Sequence, residues 1–260
     1  MVDLVATAPC TDPAEIQPHK QQMKKPVLGV LGGMGGLASA EFVKTIYEFS
    51  GEVCEREQWA PVVVMYSDPD FPDRTEAFLR GETQPILTRL IDALERLDRM
   101  GASQFVICCM TIHYLLPQLP GALRERIISL PDVIFSAVES LKKKHLVISS
   151  TGTMKLELLQ RHPRWQYARK YFVFPSETEQ RRMHELIYRM KFNRKQHEAY
   201  SFVKSLLERY QVDSFIAACS EIHLLAKQFA PSVSQPSSYG CIDPLSIIAW
   251  NVVEQNRYEA

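Results

Sequence analysis

Short, wholly apolar runs alternate along this chain with longer segments whose apolar positions recur every three or four residues. That alternation predicts buried parallel strands joined by amphipathic helices. Val27 to Leu31 is the first run, and LASAEFVKTIYEF (37–49) after it has a helical period. The second run is PVVVMY (61–66), and the loop SDPDFPDRT (67–75) follows it directly. Gln84 to Met100 reads as a helix stopped by Gly101 and leading into a third strand that begins at Phe105. Further on, Gly121 to Ile128 predicts a helix and His145 to Ser150 a strand. Glu177 to Asn193 and Gln196 to Tyr210 predict two more helices. A strand from Phe215 and a last helix, opened by Ile242-Asp243-Pro244 and running through Val253, complete the pattern. The fold class this implies is α/β, with mostly parallel sheets flanked by helices.

Laid over one another, two of the strand ends repeat. FVICCMTIHYL (105–115) and FIAACSEIHLL (215–225) share Phe, an apolar run, a cysteine, two residues and Ile-His, so Cys109 and Cys219 occupy equivalent positions. The duplication extends further. Gly32-Gly33-Met34-Gly35-Gly36 after the first strand has its counterpart in Ser150-Thr151-Gly152-Thr153-Met154-Lys155 after the strand at His145. Two pseudo-symmetric halves follow: a first formed by 26–131 together with 233–260, and a second formed by 132–232. Residues 1–25, polar and broken by Pro9, Pro13 and Pro18, read as a mobile extension, and Pro231 and Pro236 mark a loop.

Composition removes several function classes. Thirty basic and thirty acidic residues give a formal charge of zero, without the excess of positive charge on which nucleic-acid binding leans. The cations at Arg181, Arg182, Arg189, Lys191, Arg194 and Lys195 read as the solvated face of a helix. No run is long enough to span a bilayer, and the N-terminus lacks the features of a signal peptide, so the expectation is a cytoplasmic protein without a membrane partner. Six cysteines with no C-x-x-C spacing argue for reduced thiols rather than a disulfide framework or a zinc ribbon.

Candidate chemistry gathers at the strand ends. Open α/β sheets bind ligands beyond the carboxyl edges of their strands, so two equivalent edges could present two thiols to one cleft. The alternative is a pair of core cysteines in a diverged duplication. A metal site of Cys109, His113, Cys219 and His223 is possible on ligand chemistry alone, though its spacing fits no short motif. The glycine turn leaves helix N-terminal amides pointing at an anion, and a small carboxylate suits it better than a dinucleotide. Arg74 could grip a carboxylate through two hydrogen bonds, or form a salt bridge to Asp70 or Asp73. Lys155, taken as opening a helix where the macrodipole disfavours a cation, is either a second anion contact or a surface lysine.

With these motifs in view, the chain from about Pro26 to Glu254 resembles the cofactor-independent aspartate/glutamate racemase superfamily, and within it the aspartate racemase branch. GGMGG resembles that family's GGMGP turn, DPDFPDRT its N-P-x-x-P-D-R-T loop, CCMTIH its PCNTAH motif, STGTMK its TxGTxK turn and ACSEIHLL its GCTELPLL motif. The resemblance implies two α/β domains with the active site in the cleft between them, two thiols acting on opposite faces of a small dicarboxylic amino acid, no bound cofactor or metal, and a homodimer. It makes Cys109 and Cys219 the acid/base groups and puts Arg74 and Lys155 on the substrate carboxylates. The resemblance also puts Met34, Thr111, Ser220 and Glu221 among the substrate contacts. Met110 departs from the pattern by standing where the family has an asparagine that hydrogen-bonds the substrate. The implied activity is aspartate racemisation. A glutamate racemase, a one-thiol decarboxylase or isomerase of the same superfamily, and a non-enzymatic dicarboxylate-binding domain are the alternatives.

Overall fold

The structure, a computed structural model, describes residues 25–192, 194–229 and 239–258. The first half opens with β1 (Val27–Gly32), α1 (Gly36–Val53), β2 (Val62–Ser67), α2 (Arg74–Leu79), α3 (Gln84–Arg99) and β3 (Gln104–Ile107). β1 lies between the other two strands in a parallel sheet of order β2-β1-β3, with Leu31 opposite both Tyr66 and Ile107. α4 (Gly121–Arg124) and α5 (Leu130–Leu141) lead to the second half. There β4 (His145–Ser149), α6 (Thr151–Lys155), α7 (Trp165–Ala168), β5 (Phe172–Val173), α8 (Glu177–Met190), α9 (Gln196–Tyr210), β6 (Ser214–Ala218), α10 (His223–Phe229) and β7 (Gly240–Ile242) follow in order. Its sheet runs β5-β4-β6-β7, again all parallel. The last helix is α11 (Pro244–Tyr258).

Burial follows the strand pattern. β4 and β6 are buried at every position, as strands covered on both faces must be. One apolar cluster joins the halves, with Val30, Phe42 and Val106 from the first meeting Val147 and Ile216 from the second and Ile248 and Ala249 of α11. Two flanking clusters fill the outer faces, one under α3 around Leu90 and Leu94, the other under α8 and α9 around Leu186 and Val203. α11 packs on α1 and α5.

Three details differ from the sequence reading. The helix expected over 121–128 stops at Arg124, because Phe105 N–H donates to Arg126 O and Ile128 N–H to Phe105 O, both at 2.8 Å. Those bonds draw the chain out beside β3. α5 was not anticipated, although Ser129 caps it by accepting from Asp132 N–H and Pro131 sits in its first turn, both readable start signals. Finally, residues 240–242, expected within the first half, form β7 and are hydrogen-bonded to β6. The extension expected over 1–25 lies outside the described residues except for Lys25, and so do Asn193 at the end of one expected helix and the loop with Pro231 and Pro236. Among the described residues no helix is long and apolar enough to cross a membrane.

Candidate active site

The carboxyl ends of β1, β3, β4 and β6 and the loop after β2 converge on one cavity, lined by Met34, Arg74, Cys109, Met110, Thr111, Ser150, Cys219, Ser220 and Glu221 among others. Gly33 makes the first turn possible. Its φ is 90°, and a Cβ there would fall 2.3 Å from the backbone of Asp68. Met34 follows directly and its carbonyl accepts from Arg74 Nη2 at 2.7 Å. Both cysteines come just past their strands, Cys109 two residues after β3 and Cys219 one residue after β6.

Arg74 is 8% exposed at the start of α2. Nη1 donates to the carbonyls of Phe71 and Pro72, which leaves Nε without a partner. Burial works against its charge, but Cys109, Asp73 and Glu221 nearby outweigh that and push its pKa up. The loop aspartates expected as its salt-bridge partners are otherwise engaged. Arg89 takes Asp68 through two bonds, at 2.8 and 2.9 Å, and approaches Asp70 at 3.6 Å. Asp73 accepts from Tyr188 Oη at 2.5 Å.

Lys155 does not line this cavity. It is exposed in the last turn of the five-residue α6, where the macrodipole favours a cation, so the orientation argument for a ligand role falls away. The cation that does line the cavity from the second half is Lys191, just past α8, with Nζ 4.1 Å from the centroid of the Tyr188 ring. Ser150 joins the lining, and its hydroxyl clusters with Thr111 and Thr153 across the two halves. Sequence reasoning missed Lys191, Tyr188 and Asp73. The period of α8 shows six cations on or after it, but only the angle at which that helix meets the first half decides which one turns inward.

The repeat histidines have diverged. His113 Nε2 accepts from Leu130 N–H at 3.1 Å, so its proton is on Nδ1, which donates to Cys109 O at 3.0 Å. Burial keeps this ring neutral and lowers its pKa to about 4. His223 pairs through Nδ1 with Asp243 Oδ2 at 2.6 Å and through Nε2 with Thr45 Oγ1 at 3.1 Å. Thr45 Oγ1 also lies 2.8 Å from Glu41 O. Burial works against charge on the ring, but Asp243 beside it pushes the His223 pKa up and favours the imidazolium. With all four ring nitrogens in hydrogen bonds, neither histidine has a lone pair free for a metal. Among the described residues no group of three or more His, Cys, Asp and Glu is arranged to hold one.

The cavity has a volume of about 20 Å³, room for a single water. The Asp73–Tyr188 hydrogen bond spans the two halves at its rim.

The profile of the Asp/Glu/Hydantoin racemase family matches residues 31–252. Among solved structures, the aspartate racemase of Picrophilus torridus has a TM-score of 0.74 at 19% identity, with 89% of this chain and 94% of that chain covered. For a putative Asp/Glu racemase from Yersinia pestis the values are 0.67 and 19%, covering 89% and 99%. For an aspartate racemase homologue from Pyrococcus horikoshii OT3 they are 0.63 and 19%, covering 90% and 100%. These likenesses show a common fold.

Proposed function

The chain belongs to the Asp/Glu/Hydantoin racemase family, and we propose that it interconverts L- and D-aspartate by passing the α-proton between Cys109 and Cys219, with no bound cofactor. The observation that carries this reading is that one closed cavity holds both repeat cysteines together with one cation from each half, Arg74 and Lys191. Inversion at Cα needs a proton removed from one face and another delivered to the opposite face, and two groups of similar basicity suffice. A carboxylate paired with Arg74 would share the cavity with Cys109, where the guanidinium also stabilises the charge that moves onto the α-carboxylate as the proton leaves. Lys191 is suited to the second carboxylate of the substrate. Closure of the cleft excludes water and strengthens each of these charge contacts.

The test is incubation of the metal-free and pyridoxal-phosphate-free protein with L-aspartate and, separately, L-glutamate in deuterium oxide, followed by chiral analysis. D-Aspartate carrying deuterium at Cα is the expected product. If neither amino acid is inverted, or inversion requires added pyridoxal phosphate, the reading is wrong.

The two candidate lysines separate cleanly. Lys191→Ala is expected to weaken aspartate binding at least tenfold, about 1.5–3 kcal/mol for a lost charge-assisted contact. Lys155→Ala is expected to leave KM within about twofold, as for an exposed charge that touches nothing in the cavity. Steady-state kinetics on both variants checks this, and the opposite order of effects would return the role to Lys155.

A further inference from the structure

Cys219 shares its strand end with a buried carboxylate. Its Sγ–H donates to Glu221 Oε2 at 2.9 Å, and Ser220 Oγ donates to the same oxygen at 3.3 Å. Glu221 is 2% exposed and its other oxygen, Oε1, has no hydrogen-bond partner. Oε1 rests against Gly35, the residue that caps α1, and a Cβ on Gly35 would fall 2.3 Å from it. The φ of Gly35 is 161°, an extended value open to any residue, so it is the space taken by the carboxylate that demands glycine here. Glu221 thus lies next to the N-terminal end of the 18-residue α1.

Cys109 has different surroundings. The charge beside it is the Arg74 guanidinium, whose pKa Cys109 helps to raise. The repeat therefore gives equivalent thiols different immediate neighbours, the Arg74 guanidinium for Cys109 and the hydrogen-bonded Glu221 carboxyl group for Cys219.

We propose that Glu221 is a positioning residue that holds the proton of Cys219, so that the resting protein carries Cys219 as proton donor and Cys109 as proton acceptor. Burial and the adjacent carboxylate both push the Cys219 thiol up, while Lys191 pulls the other way. The catalytic meaning of this assignment rests on the racemase reading; the thiol–carboxylate pair itself does not. In one turnover the Cys109 thiolate takes the α-proton and the electron pair stays on the Cα–carboxylate unit. The Cys219 S–H then delivers its proton to the opposite face, leaving Cys109 as thiol and Cys219 as thiolate. That product form puts a thiolate against the Glu221 carboxylate, and the repulsion drives one proton back from Cys109 to Cys219 to restore the resting form. The enantiomers have equal energy, so kcat/KM must be the same for both. The bias appears in kcat and KM taken separately and in the pH profile.

Thiolate absorbance provides the test without requiring turnover. The Cys219 titration is read in Cys109→Ser protein as the difference from a Cys109→Ser/Cys219→Ser control, with and without Glu221→Gln. Glu221→Gln is expected to bring the Cys219 thiolate in about one pH unit or more lower, because the like charge and the proton acceptor are both gone. Gly35→Ala, in the same Cys109→Ser protein, displaces the carboxylate by a different route and is expected to shift the curve in the same direction. In the otherwise wild-type enzyme, Glu221→Gln should move the pH profile of racemisation down and change kcat and KM unequally for the two enantiomers. Coincident titration curves for the parent and both variants would overturn the proposal. A clear shift in a protein that inverts no amino acid would instead count against the racemase reading and leave the proton-holding pair standing.

Discussion

Cys109→Ser and Cys219→Ser proteins are each expected to lose net racemisation of aspartate by about 10²–10⁴-fold, the range spanned by removal of a general acid or base. The two losses should be similar because inversion fails whichever face lacks its proton carrier. Partial reactions should differ. With Cys219 replaced, Cys109 can still take the α-proton of the enantiomer presented to it and return a solvent proton to the same face. Deuterium exchange with retention of configuration should then survive for one enantiomer, and the Cys109→Ser protein should exchange the other. Proton NMR in deuterium oxide, run with each pure enantiomer, reads this directly. A one-thiol decarboxylase gives a different pattern, with one substitution fatal and the other nearly silent, and a binding domain gives no exchange at all. Full racemisation by either variant would remove the two-thiol mechanism for this chain.

The second large effect concerns stability and lies behind the active-site wall. Asp243→Asn is expected to cost about 3–5 kcal/mol, because it leaves the imidazolium of His223 buried without its counter-ion. His223 is fully buried, and Asp243, at 5% exposure, also accepts from Ser246 Oγ at 2.6 Å. Burial opposes charge on His223, but Asp243 outweighs it and the net pKa shift is upward, with Lys227 acting weakly against. Burial likewise opposes charge on Asp243, and His223, Ser246 and the Leu245 amide outweigh it, so its pKa is lowered. The sign of each pH dependence follows. His223, raised above its ordinary 6.5, contributes stability that is complete below that pH and is lost as pH climbs through its folded value. Asp243, depressed below its ordinary 3.8, contributes stability that is complete above that pH and is lost as pH falls through its folded value. Urea unfolding of the wild type and Asp243→Asn proteins should therefore show the widest gap between pH 3.8 and 6.5, narrowing as the solution becomes alkaline. A gap that stays constant with pH would mean that the pair does not hold its charges in the folded protein.

Some of this was already written in the residue pattern. Buried parallel strands need uninterrupted apolar runs, so Val27 to Leu31, His145 to Ser149 and Phe215 to Ala218 were legible as strands, and the repeated cysteine motif marked their edges as equivalent. A glycine with positive φ at Gly33 and a short loop ending in Arg74 are local requirements, and local requirements leave local signals. The family profile, too, matches the chain over residues 31–252. What depends on how the two halves meet left no such trace. Lys155 and Lys191 are both cations near turns in the second half, and only the packing of α8 against the first half puts Lys191 at the cavity and leaves Lys155 in solvent. His113 and His223 stand at matched positions in one repeat, yet the pKa of one is pushed down and that of the other up, because the first is buried against the Leu130 amide and the second meets Asp243 at the head of α11. A sequence repeat preserves which side chain stands at a strand end. The ionisation of that side chain is set by desolvation and by the charge brought against it from a distant segment, which only the folded chain decides.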